Sequence, residues 1–171
     1  MQVKEISFRD LSQISYRMLL YEFPKEETAY RGDRVLSIEF SGEHGVGSEG
    51  NGDSLFMEST IKIAIQVWPV EALILDFRKL SYEWGNSIGG VLLAGKAIMG
   101  SSFPTVAVVS DLCKDALERA SPFYAVQPES WEKTKWLFDD VETALIYIKE
   151  RIDLVYRNQP EKPQWRLFMR K

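Results

Sequence analysis

The chain holds a single histidine, His44, and a single cysteine, Cys113. One histidine leaves no histidine-rich metal site, and one cysteine leaves no internal disulfide. No metal and no cofactor are expected. His44 with Ser41, Ser48 or Ser87 and an acid has the residue types of a hydrolytic triad. No Gly-x-Ser-x-Gly nucleophile elbow occurs, however. A lone histidine in a glycine-rich stretch is expected to be solvated. Cys113 falls on the expected first turn of a helix, where an amino end can lower a thiol pKa. With no histidine near it in sequence, a packing role is expected, and no catalytic residue is assigned.

Two glycine patterns invite chemistry. Gly45-Val-Gly-Ser-Glu-Gly50 fits the dinucleotide pattern, and Asp76 ends the next strand where a ribose-binding acid would sit. Four residues separate Phe40 from Gly45, and Asn51-Gly52-Asp53 is read as breaking any helix there, so a flexible connection is expected. The second pattern is Tyr82-Glu-Trp-Gly-Asn-Ser-Ile-Gly-Gly90. Here Asn86 and Ser87 stand at an expected helix amino end, whose free N–H groups favour a phosphate or carboxylate. Gly89 and Gly90 allow another backbone to approach. Tyr82 and Trp84 flank the turn and, if exposed, would anchor a partner. The candidate partner- or anion-binding set is therefore Tyr82, Trp84, Gly85, Asn86, Ser87, Gly89 and Gly90. Arg31-Gly32-Asp33 is a tripeptide too short to carry meaning.

The elements that must hold this turn are legible in outline. Ala72-Leu-Ile-Leu-Asp-Phe77 reads as a strand buried on both faces. Ile88, Val91, Leu92, Gly95, Ile98 and Met99 recur at helical spacing. Before them, Val35–Phe40 reads as a strand. Five glycines within Ser41–Asp53 read as a mobile loop, and Asp53 or Ser54 as a helix cap. Ile61–Val67 alternates like a strand. A helix carrying Phe56, Ile63 and Val67 is favoured there, because a parallel strand at 72–77 needs a crossover before it. Thr105–Ser110 reads as another buried strand. Asp111 is expected to cap a helix with Leu112, Ala116 and Leu117 inward, stopped by Ser121-Pro122. Residues 123–135 read as irregular and Trp136–Phe138 as a brief strand. A final helix, capped by Asp139 or Asp140, carries a stripe of Val141, Ala144, Leu145, Ile148, Ile152 and Val155. At the front, residues 1–8 suggest a short edge strand, and Asp10–Phe23 suggests a helix ended by Pro24. The tail, with Trp165 and Phe168 among Arg166, Arg170 and Lys171, reads as a segment packed on its own domain or as a membrane- or anion-binding end.

A length of 171 residues suits one domain. The expected division is an N-terminal extension at 1–34, a core at 35–156 and a tail at 157–171. A formal net charge of −4 argues against general nucleic-acid binding, which needs a basic face. No leader and no run of about 18 apolar residues is evident, so a cytoplasmic protein without stable membrane insertion is expected.

The central stretch resembles a STAS domain, the fold of anti-sigma factor antagonists such as SpoIIAA. Leu75-Asp76-Phe77 and Leu80-Ser81-Tyr82 match the first half of the family's strand–turn–helix, and Gly90-Val91-Leu92-Leu93 matches the second. Leu137-Phe138-Asp139-Asp140 with Glu142-Thr143-Ala144-Leu145 is similar to its closing Phe-Asp and Glu-Ala-Leu helix. The likeness covers about 35–156. It implies an α/β fold with a mixed, mostly parallel sheet, and a non-enzymatic regulatory domain. The implied partner is a protein such as a kinase-like anti-sigma factor. The family's Asp-Ser pair falls on Trp84-Gly85 or Gly85-Asn86, so Ser87 stands one or two positions from its serine. A second resemblance is to the crotonase and Clp-type peptidase superfamily, which implies an enzyme using Gly89-Gly90 as an oxyanion hole. A homodimer formed through the chain ends is a third expectation.

Overall fold

The computed structural model describes residues 5–24, 33–124 and 136–156. Five strands form one sheet in the order β1-β2-β3-β4-β5. They are β1 (Ser15–Glu22), β2 (Arg34–Glu43), β3 (Ala72–Ser81), β4 (Thr105–Val108) and β5 (Leu137–Phe138). Strand β1 runs antiparallel to β2, and every other neighbouring pair is parallel. The expected mixed, mostly parallel α/β architecture is what the backbone adopts. Four helices accompany it: α1 (Asn51–Val67), α2 (Ile88–Met99), α3 (Lys114–Tyr124) and α4 (Val141–Tyr156).

Alternation along β2 and β3 divides the core. Leu36, Ile38 and Phe40 join Leu73, Leu75 and Phe77 against α1, α2 and α3. Val35, Ala72, Ile74, Val106 and Val108 face α4 through its Ala144, Ile148 and Ile152. The α4 stripe is the expected one, and Asp140 caps the helix by accepting the Thr143 N–H at 2.7 Å. Helix α1 confirms the helical reading of 61–67, but its buried stripe is Met57, Ile61, Ala64 and Ile65. Ile63 and Val67, expected inward, are exposed.

Several expectations fail. Residues 10–23 do not form a helix. A single turn of 3₁₀ helix (Phe8–Asp10) precedes β1, and no edge strand occurs at 5–8. The open backbone edge of β2 recruits 15–22 through paired hydrogen bonds, and this overrides a local pattern that fits two periods. Asn51-Gly52-Asp53 opens α1 instead of breaking it, and Gly47–Gly50 forms a 3₁₀ turn, so 41–53 is not a loose loop. Helix α3 opens at Lys114, after a turn closed on the Ser110 carbonyl. Leu112 therefore lies outside the helix and is exposed. The helix also runs through Ser121-Pro122 to Tyr124, because a proline's φ is already helical and only one backbone bond is lost. Arg31-Gly32, most of the irregular stretch at 123–135, and the tail lie outside the described residues.

Beyond the end of α4, the sheet face carries charge. Asp76, 3% exposed, takes a bidentate pair from Arg78 (Nε–Oδ1 2.9 Å, Nη2–Oδ2 2.7 Å). The neighbouring Glu39 is held by Arg17 at 3.2 Å and Lys79 at 3.0 Å. Among the described residues no helix is long and apolar enough to cross a membrane. Phe77 packs against Phe40 at 6.1 Å between ring centroids, fully buried. Phe77→Ala should lower the unfolding free energy in urea by about 3–5 kcal/mol. Ile146→Ser, on the exposed side of α4, should stay within about 0.5 kcal/mol of the parent.

Candidate functional site

Strand β3 continues four residues past Phe77 and delivers the chain to the turn at 82–87. The turn is built on Tyr82. Its N–H donates to the Leu112 carbonyl at 3.1 Å, and its hydroxyl donates to the Gly85 carbonyl at 2.7 Å. Tyr82 is thus buried and braces the turn, so it is not the exposed anchor its position suggested. Trp84 is exposed, with 61% of its surface open.

The glycine-rich stretch folds against this turn. His44 N–H donates to the Ser81 carbonyl at 2.9 Å, and Gly47 N–H donates to the Trp84 carbonyl at 3.0 Å. Gly47 adopts φ +61°, and a Cβ there would meet the Trp84 ring at 2.7 Å, so only glycine fits beneath the indole. His44 is 5% exposed, not solvated. Its Nδ1 donates to the Gly45 carbonyl at 2.8 Å, and its Nε2 lies 2.8 Å from Ser54 Oγ. The Ser54 hydroxyl donates to Ser87 Oγ at 2.9 Å. The ring also packs edge-on to Tyr82, 5.2 Å between centroids. A histidine–serine–serine chain therefore ties the β2–α1 connection to the amino end of α2. Asp53 adds a further tie by accepting the Gly45 N–H at 2.9 Å and the Ser12 hydroxyl at 2.6 Å.

Ser87 stands at the N-cap of α2 but makes no capping bond. Its oxygen accepts from Ser54 instead. Gly89 and Gly90 donate their N–H groups to the carbonyls of Asn86 (3.3 Å) and Ser87 (3.1 Å). The Glu58 carboxylate, paired with Lys62, lies where a Gly90 side chain would go and fills the space beside the first turn of α2. Gly85 and Gly89 are buried, and Ser87 and Gly90 are half-buried. Asn86 is exposed. The candidate residues thus sit together, within a tighter frame than a simple capped helix start.

The dinucleotide pattern has no such use. Gly45 and Gly50 close on each other and on His44, so their missing side chains serve internal packing. Asp76, paired with Arg78, stands on the α4 side of the sheet.

Two further exposed apolar residues lie at this end of the sheet: Val46, to which the sequence reading gave no role, and Leu112, which it placed inward. Val46 precedes Gly47, and Leu112 accepts the Tyr82 N–H; they are 50% and 54% exposed. Val46, Trp84 and Leu112 come from the connections that follow β2, β3 and β4. They therefore share the carboxyl end of the parallel strands.

No protein-family model matches the chain, and no curated protein matches it. Solved structures similar to it include an anti-sigma factor antagonist from Mycobacterium paratuberculosis. That structure is 15% identical over 79% of this chain and 95% of its own, with a TM-score of 0.49. SpoIIAA, an anti-sigma factor antagonist, in its unphosphorylated form gives 17% over 76% and 94%, with a TM-score of 0.39. The Bacillus cell fate determinant SpoIIAA in its phosphorylated form gives 18% over 76% and 96%, with a TM-score of 0.42.

A Cβ at position 50 would collide with the His44 ring and the Gly45 carbonyl. Gly50→Ala should therefore cost about 2 kcal/mol or more in denaturant unfolding and shift the His44 ring resonances. Cys113 is buried beside the turn, and burial pushes its thiol pKa up. The unfolded thiol ionises near pH 8.5 while the folded one still holds its proton. Stability should thus be insensitive to Cys113 below that pH and fall above it. Cys113→Ser should remove that part of the fall, and iodoacetamide should label the native protein far more slowly than the unfolded one.

Proposed function

We propose that this chain is a non-enzymatic regulatory domain that binds a protein partner through residues 82–90, with Trp84 as the anchor. The observation that carries the reading is the exposed apolar group of Val46, Trp84 and Leu112, held on backbone hydrogen bonds between three connections. A large indole on a fixed base loses little freedom on docking, which suits a hot spot. The motifs that resemble anti-sigma factor antagonists lie in β3, in the first turns of α2, and across β5 into α4. The partner they suggest is a kinase-like anti-sigma factor. SpoIIAA and the mycobacterial protein carry the antagonist description in their own names.

A protein partner is favoured over a free anion because the Glu58 carboxylate already occupies the space beside Gly90 at the amino end of α2. It is also favoured over acyl chemistry. An oxyanion hole needs N–H groups aimed at empty space, and those of Gly89 and Gly90 are spent on the carbonyls of Asn86 and Ser87.

Calorimetric titration with a kinase-like anti-sigma factor from the same genome tests the reading. Trp84→Ala should weaken binding about 30-fold or more, the loss of a hot-spot side chain of about 2 kcal/mol. Ser87→Asp should weaken it too, by putting a charge where the Ser87 hydroxyl accepts from Ser54 under the turn. Ile146→Ser, on the opposite face, should bind as the parent does. Unchanged affinity in both Trp84→Ala and Ser87→Asp would remove this surface from consideration.

A further inference from the structure

The exposed apolar group of Val46, Trp84 and Leu112 stands among carboxylates. Four connections leave the carboxyl ends of the parallel strands, at 44–50, 82–87, 109–113 and 139–140. Together they hold five acids, Glu49, Glu83, Asp111, Asp139 and Asp140, and no lysine or arginine. The rest of the chain sets all 21 lysines and arginines against the other 20 of its 25 acids, a balance of +1. The whole net charge of −4 therefore originates at this end of the sheet. The two described connections at the other end, 68–71 and 100–104, hold one charged residue, Glu71. It is buried and accepts the Arg34 N–H at 2.8 Å.

The needs of the fold account for two of the five acids. Asp139 pairs with Lys114 at 2.8 Å, and Asp140 caps α4. Glu49, Glu83 and Asp111 are exposed, and among the described residues no hydrogen bond or ion pair holds their carboxylates. None of them caps a helix. Helices α1 and α2 open on Gly50 and Ser87, and α3 opens from the Ser110 carbonyl. Each of the three stands beside one member of the apolar group. Glu83 precedes Trp84, and Asp111 precedes Leu112. Glu49 closes a turn on Val46, donating its N–H to the Val46 carbonyl at 3.3 Å. Exposed carboxylates without a counter-ion speed encounter with a cationic surface and repel an anionic one. A second copy of this chain, docked through the same surface, would set like charges face to face.

We propose that the partner face docking here is basic: an apolar cleft takes Trp84, and lysine or arginine side chains around it meet Glu49, Glu83 and Asp111. The inference rests on the docking surface proposed above and adds the chemistry of what docks there.

Association of the full chain with the kinase-like anti-sigma factor, followed by stopped flow, tests it. Glu49→Gln, Glu83→Gln and Asp111→Asn together should slow association about tenfold at about 50 mM salt and about twofold or less at about 500 mM. The three carboxylates are exposed, so the triple variant should unfold at or slightly above the parent's urea midpoint. An association rate that ignores both salt and the triple variant, with Trp84→Ala still weakening the complex, would overturn the basic face and leave the docking surface standing. If the factor does not bind, the docking proposal loses its partner and a peptide titration followed by NMR decides the charge question. The peptide Arg-Leu-Arg-Leu-Arg should shift the Trp84 indole resonance of the parent and not that of the triple variant, and Glu-Leu-Glu-Leu-Glu should shift neither. Equal shifts from both peptides, or none from either, would overturn the inference.

Discussion

Strand β3 is covered on both faces and has parallel neighbours on both sides. Its backbone groups can find partners only in β2 and β4, since water reaches none of Ala72–Phe77. That pairing fixes where the three strands end. Once β2, β3 and β4 run in one direction, their exits must lie side by side, and α1, α2 and α3 must cross over the sheet to return. The position of the candidate surface follows from this constraint before any residue of the surface is considered.

What the exits carry is then decided locally. The β2–α1 connection and the β3–α2 turn could each be irregular. Instead they are fastened by the His44, Ser54 and Ser87 chain, by two backbone hydrogen bonds, and by an indole seated on a glycine. These contacts are buried or half-buried, where a satisfied hydrogen bond is worth keeping and a lost one is costly. The exposed side chains of Val46, Trp84 and Leu112 stand on that base.

The sequence reading located β2, β3, α2, β4 and α4 because each has a strong single period and is buried where the period says. It misplaced β1 because an edge strand is half-exposed, and Leu11, Ile14, Met18 and Leu19 satisfy a helical spacing as well. It turned α1 by part of a revolution because Ile63 and Val67 are apolar and yet exposed. His44 was unreadable for another reason. Nothing near it in sequence predicts burial, and the groups that bury and bond it come from α1 and from the turn after β3. Leu112 fits a core position only if α3 starts two residues before Lys114. The turn at 82–87 was legible, since an apolar strand followed by a polar turn and a glycine-rich helix marks a strand exit. The roles of Tyr82 and Ser87 within it needed coordinates.

Apolar alternation alone does not set the alignment of β2 on β3. A slip of two residues would keep every inward side chain facing inward. It would also carry Lys79 away from Glu39 and leave that carboxylate, shielded from water, with one cation fewer. Lys79 is exposed, so its pair with Glu39 is screened by water and contributes about 1 kcal/mol or less, yet it distinguishes alignments that the apolar alternation alone does not. Of the charged pairs at this corner of the sheet, Lys79 with Glu39 is the one that joins β3 to β2, and it therefore favours one alignment among those that hydrophobicity tolerates.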